Sequence, residues 1–111
     1  MKAQPRSIKL PPELKFFAYQ LGGNNVSNGI RIAIDAYLAN PTDPGKERFY
    51  EYMMVSYKAD KDKIDMLYRE AVKRHTTISK IIRHQLLLLY KKESTSSPDI
   101  KARVLPITKL K

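Results

Sequence analysis

The chain is predicted to be mainly α-helical with a short β-ribbon, laid out as strand-helix-helix twice. Three observations predict this. The alternating segment Ser7-Ile8-Lys9-Leu10 is echoed at Ser56-Tyr57-Lys58-Ala59. Each copy is followed by a helical stretch, a turn, and a second helical stretch. That second stretch opens Val26-Ser27-Asn28-Gly29-Ile30-Arg31 in one half and Ile78-Ser79-Lys80-Ile81-Ile82-Arg83 in the other. Finally, 111 residues suffice for one compact domain with a modest core, whereas units of about fifty residues are marginal alone and must share a core.

Met1 to Arg6 reads as a flexible basic arm. Ser7 to Leu10 has strand periodicity, with Ile8 and Leu10 inward and Ser7 and Lys9 outward. Pro11-Pro12 stops the strand, and Pro12 suits the first turn of a helix, where a missing N–H costs nothing. That helix is expected from about Pro12 to Leu21, with Leu14, Phe17, Ala18 and Leu21 on one face. Gly22-Gly23 ends it, and Asn25 is the expected N-cap of the next helix. The second helix carries Val26, Ile30, Ala33, Ile34, Tyr37 and Leu38 on one stripe and stops at Asn40-Pro41.

The second half begins with a strand expected over Tyr50 to Ala59, with Met53, Val55, Tyr57 and Ala59 facing one way and Met54, Ser56 and Lys58 the other. Asp60 caps a helix that turns Ile64, Leu67, Tyr68 and Ala71 inward and ends near His75. Thr77 caps a last helix to about Lys92, with Ile78, Ile82, Leu86, Leu89 and Tyr90 as its stripe. Leu87 and Leu88 widen that stripe, so this helix either is the central packing element or faces a second copy of the protein. The expected organisation is thus 1–40 for the first unit with its arm, 41–49 for a linker, 50–92 for the second unit, and 93–111 for a flexible basic tail.

Charge narrows the partners. The 21 Lys and Arg against 11 Asp and Glu leave +10, an excess that points to a polyanion. There is no cysteine, which excludes disulfides and thiolate zinc sites. No signal-peptide pattern opens the chain and no apolar run spans a bilayer, so a soluble, cytoplasmic protein is expected.

The order strand, Leu-Pro-Pro-Glu-Leu, helix, Asn-Asn-Val-Ser, then Ile-Arg-Ile-Ala-Ile closing on Tyr-Leu resembles the ribbon-helix-helix family, to which the β-ribbon DNA readers Arc and MetJ belong. The likeness covers residues 6–39 well and 52–91 less well, with His75 where the family usually has Gly and Gln85 in place of Ala33. Two such units on one chain imply a tandem ribbon-helix-helix fold closed as an intramolecular pseudo-dimer. That layout is similar to TraY-type conjugation accessory proteins.

A two-stranded ribbon fits the DNA major groove, where base edges carry a distinct code. The outward residues expected to read bases are Ser7, Lys9, Ser56 and Lys58, with Arg6 and Met54 at the edges. Taken singly, each lysine is what a solvated sheet face carries; matched in both halves of a +10 chain, the lysines point to base reading. Differing flanks predict related but non-identical half-sites. Helix N-termini attract phosphates, which places phosphate contacts at Asn25, Val26 and Ser27 and at Thr77, Ile78, Ser79 and Lys80. Arg31 and Arg83 match in position and are read as solvated or ion-paired, with phosphate contact as the alternative. Tyr19, Tyr37, Tyr57, Tyr68 and Tyr90 are read mostly as core.

Nothing points to an enzyme, a metal or a cofactor. His75 and His84 have no ligand partners at suitable spacing, and Gly22-Gly23 lacks a phosphate-loop lysine. The expected function is sequence-specific double-stranded DNA binding by a transcriptional regulator of a plasmid, virus or other mobile element, with a second copy on an adjacent site as a further partner. The alternatives are an accessory protein of a conjugative transfer origin and an antitoxin-like module using the tail. No small-molecule substrate or membrane is expected.

Overall fold

The computed structural model describes residues 3–44 and 49–94. Its elements are β1 (Ala3–Leu10), α1 (Pro12–Leu21), α2 (Val26–Ala39), β2 (Met53–Asp60), α3 (Lys61–Lys73) and α4 (Ile78–Ser94). β1 and β2 form one antiparallel two-stranded sheet, in register from Ala3 opposite Asp60 to Leu10 opposite Met53.

This corrects the expected tandem ribbon-helix-helix pseudo-dimer. The described residues hold a single two-stranded sheet and four helices around one core, a single unit. The physical reason is strand pairing. Each half contributes one strand, an isolated strand leaves its ladder groups unpaired, and neither half contains a sheet of its own.

Local chemistry explains most boundaries. Pro11 is extended, with φ −64° and ψ 150°, and its carbonyl accepts the Leu14 and Lys15 N–H groups at 3.0 Å, opening α1. Asn25 caps α2, its side chain accepting the Asn28 N–H at 2.9 Å. Asp60 ends β2 and caps α3 in the same step, accepting the Asp62 N–H at 2.9 Å. Between α1 and α2 the left-handed positions are Gly23 and Asn24, at φ 69° and 68°. Between α3 and α4 that task falls to His75, at φ 55°, a conformation histidine enters more readily than most side chains.

β1 begins earlier than expected, so Ala3 to Arg6 is strand rather than a free arm, while β2 begins later, at Met53. The expected tail lies, beyond Ser94, outside the described residues.

The inner sheet face buries Ile8, Leu10, Val55, Tyr57 and Ala59 against the helices. α4 supplies Ile81, Ile82, Leu86, Leu87 and Tyr90 to the same core and packs against the other three helices and β1. Phe17 stacks on Tyr90 with ring centroids 5.1 Å apart. Tyr68 departs from its expected place, being 62% exposed on the outer side of α3, and Tyr19 is exposed as well. A polar network ties α2 to α3. The buried Tyr37 hydroxyl donates to Glu70 Oε1 at 3.0 Å, and Arg74 Nε donates to the same carboxylate at 3.0 Å while also pairing with Asp43. Burial, then the Glu70 carboxylate, pushes the Tyr37 phenol up to about 12. Arg74 and then the Tyr37 hydroxyl hold the Glu70 carboxyl below its ordinary range.

α1 and α2 cross closely at Gly29. A Cβ there would lie 1.9 Å from the Ala18 carbonyl oxygen, a backbone atom with no rotamer to change. Gly29→Ala is therefore expected to destabilise the fold by about 1–3 kcal/mol or more, because the helices must move apart. Equilibrium denaturation checks this; an unchanged midpoint would contradict the close crossing.

Candidate nucleic-acid interface

The outer face of the ribbon is built by strand alternation. Ser7 lies opposite Ser56, Lys9 opposite Met54, and Lys58 opposite Pro5, and all six are exposed. Because the strands run antiparallel, Lys9 and Lys58 sit at opposite ends of the face. They are separated by roughly 13 Å along the strands, at about 3.3 Å per residue.

The hydrogen-bonding phase of the ladder follows from Lys58. Its N–H donates to Ser27 Oγ at 2.8 Å and its carbonyl accepts from Arg31 Nη1 at 2.9 Å, so both backbone groups point away from β1. Lys58 and Pro5 are thus a non-hydrogen-bonded pair, where proline's missing N–H is harmless. By the same alternation Ser7–Ser56 and Lys9–Met54 are also non-hydrogen-bonded pairs. Their backbone groups face the flanks of the ribbon while their side chains leave its outer face. The inward pairs carry the ladder.

Arg6 does not join this face. It has the inward register, opposite Tyr57, and its guanidinium lies beside the Tyr57 hydroxyl. Burial raises the Tyr57 phenol above its usual value, and Arg6 partly offsets that. Met54 does join it, 60% exposed beside Lys9.

Both second helices reach the ribbon's backbone, α2 through its first turn and α4 through Arg83. Asn25 spends its side chain on the third N–H of α2, leaving the Val26 and Ser27 N–H groups without intrahelical acceptors. Thr77 Oγ1 accepts the Lys80 N–H at 3.1 Å, leaving Ile78 and Ser79 in the same condition. The Ser27 hydroxyl is committed to the ribbon: it accepts from Lys58 N–H and from Arg31 Nη1 at 2.9 Å. Ser27 places the first turn of α2 beside β2, and Arg83 Nη1, donating to the Lys9 carbonyl at 3.0 Å, places the next turn of α4 beside β1.

Arg31 and Arg83 therefore differ from their reading as solvated or ion-paired side chains. Arg31 also donates to Asn28 Oδ1. Arg83 lies over the Tyr52 ring, 5.3 Å from its centroid, and partial burial draws its pKa below the ordinary value. Contacts across 27 and 74 residues have no local signature; the available signal was that arginines and lysines recur in step in both halves.

Charge is segregated. Among the described residues the ion pairs are Lys61–Asp65, Lys63–Asp35, Arg74–Asp43 and Arg74–Glu70, on α2, the segment after it, α3 and the C-cap of α3. Lys9, Lys58, Arg31 and Arg83 take part in none of them. Among these residues there is also no cluster of metal-ligating side chains, and no helix is long and apolar enough to cross a membrane.

Ser27→Ala is expected to free the Lys58 amide. Amide hydrogen exchange should show Lys58 less protected while Tyr57 and Ala59, whose N–H groups face β1, stay as they were. Equal loss along all of β2 would contradict this local anchoring.

No protein-family model matches the chain, and no curated protein and no solved structure is found similar to it.

Proposed function

We propose that the chain is a sequence-specific double-stranded DNA-binding protein that lays its ribbon in the major groove and acts as a transcriptional regulator. The observation that carries this reading is the outer face itself: paired serines at the centre, a lysine at each end, and no carboxylate partner for either lysine among the described residues. On a chain of net charge +10, that is a polar, cationic surface whose lysines are not spent on ion pairs.

The dimensions agree with a groove. Two strands about 4.8 Å apart fit a major groove about 12 Å wide. Lysines roughly 13 Å apart correspond to about four base pairs at about 3.4 Å each. Lysine donates to guanine O6 and N7, serine contacts either kind of base, and Met54 offers an apolar end to a thymine methyl. The free N–H groups of Val26, Ser27, Ile78 and Ser79, at the starts of α2 and α4, suit the phosphates that border the groove. Lys80 adds charge at the second of these. Met54 beside Lys9 but Pro5 beside Lys58 makes the two ends of the site related and non-identical.

Selection from random duplex DNA should yield a defined site. On that site the Lys9→Ala/Lys58→Ala variant should lose roughly 1–3 kcal/mol of base discrimination per contact while still binding duplex non-specifically. Titrations at several salt concentrations separate the two terms. Absence of a selected site, or unchanged preference in the variant, would refute the reading.

A further inference from the structure

Each ribbon lysine is held by an arginine from the opposite half of the chain. Arg31, on α2, donates to the carbonyl of Lys58, and Arg83, on α4, donates to the carbonyl of Lys9. Both carbonyls belong to non-hydrogen-bonded positions, so without the arginines they would project from the ribbon's flanks with no partner in the sheet. A guanidinium fixed on such a carbonyl sets the height and roll of the peptide from which the lysine side chain leaves. The arginines are themselves fixed. Arg31 is bonded to Ser27 and Asn28, and Arg83 lies over Tyr52.

From this we infer that Arg31 and Arg83 are crossed positioning residues for base recognition. Arg31 governs the half-site read by Lys58, and Arg83 governs the half-site read by Lys9. The inference rests on the DNA-reading function proposed above and deepens it. It makes each base contact depend on a helix from the other half. A phosphate gripped at the start of α2 then steadies Lys58, and one gripped at the start of α4 steadies Lys9. A base-contacting lysine is a flexible chain ending in a point charge, so its discrimination depends on how firmly its backbone is placed.

The test uses the full chain and the duplex selected by it. Lys9→Ala and Lys58→Ala first assign which base positions each lysine reads. Affinities of Arg31→Ala, Arg83→Ala, Arg31→Lys and Arg83→Lys are then measured for the selected duplex and for duplexes altered at one half-site. Arg31→Ala should lose roughly five- to tenfold of its discrimination at the Lys58 positions, a size within that of one base contact. It should keep its discrimination at the Lys9 positions, and Arg83→Ala should do the reverse. The lysine variants, which retain a donor, should restore part of the loss. On a Lys58→Ala background, Arg31→Ala should add no further loss of discrimination. A structural role alone predicts something else: equal weakening at both half-sites, tracking the fall in melting temperature, and that result would overturn the crossed assignment. Lys9→Ala and Lys58→Ala keep the two readings apart. If they leave base preference unchanged, the DNA reading itself fails; if they change it while the arginine variants act without regard to half-site, only the crossed positioning fails.

Discussion

The antiparallel pairing of β1 with β2 is the constraint on which the other features depend. A strand of eight residues from one half can satisfy its ladder groups only against a strand from the other. Once they pair, Ile8, Leu10, Val55, Tyr57 and Ala59 share one inner face and require a cover. The helices supply it, α4 most completely, because its apolar residues wrap around enough of its circumference to meet α1, α2, α3 and β1. The outer face is left to polar and cationic residues by the same alternation that buries the inner one. Core and interface are two consequences of one register.

The ribbon's flanks show how a two-stranded sheet lives with two open edges. Unpaired edge groups invite association with other chains. Here Ser27 and Arg31 occupy the N–H and carbonyl of Lys58, and Arg83 occupies the carbonyl of Lys9. Pro5 stands where its missing N–H would in any case have faced outward. These contacts blunt the edges and tie them to α2 and α4. Acidic side chains are engaged elsewhere, with Asp35, Asp65 and Glu70 paired to cations of α3 and to Arg74.

What was legible in the sequence followed from residues with local effects. Pro12 and Gly22 bracket α1 at its observed limits, and Asn25, Asp60 and Thr77 cap as their side chains dictate. Ser7, Lys9, Met54, Ser56 and Lys58 fall on the outer face because a period of two leaves little choice once the inward residues are known. Arg6 was misplaced because the chain up to it was read as a free arm, whereas β1 already begins at Ala3 and strand alternation gives Arg6 the inward register opposite Tyr57. Tyr68 was read as core because helical spacing alone does not say how wide a face α3 buries. The tandem architecture was overturned because similarity between two segments does not show that each folds as a unit, and strand pairing across the halves makes one unit of them. The arginine contacts were out of reach, since they join residues far apart in the chain.

The central claim, that the outer face of the ribbon reads base edges in the major groove, is tested most directly by altering only the groove. The selected duplex would be made with 7-deazaguanine for guanine, which removes the N7 acceptor and leaves Watson–Crick pairing in place. Affinity is expected to fall by about 1 kcal/mol or more at positions read by lysine, with the salt dependence of binding unchanged. Undiminished affinity for the substituted duplex would contradict the account, because a ribbon lysine that reads guanine in the major groove must notice the loss of that acceptor.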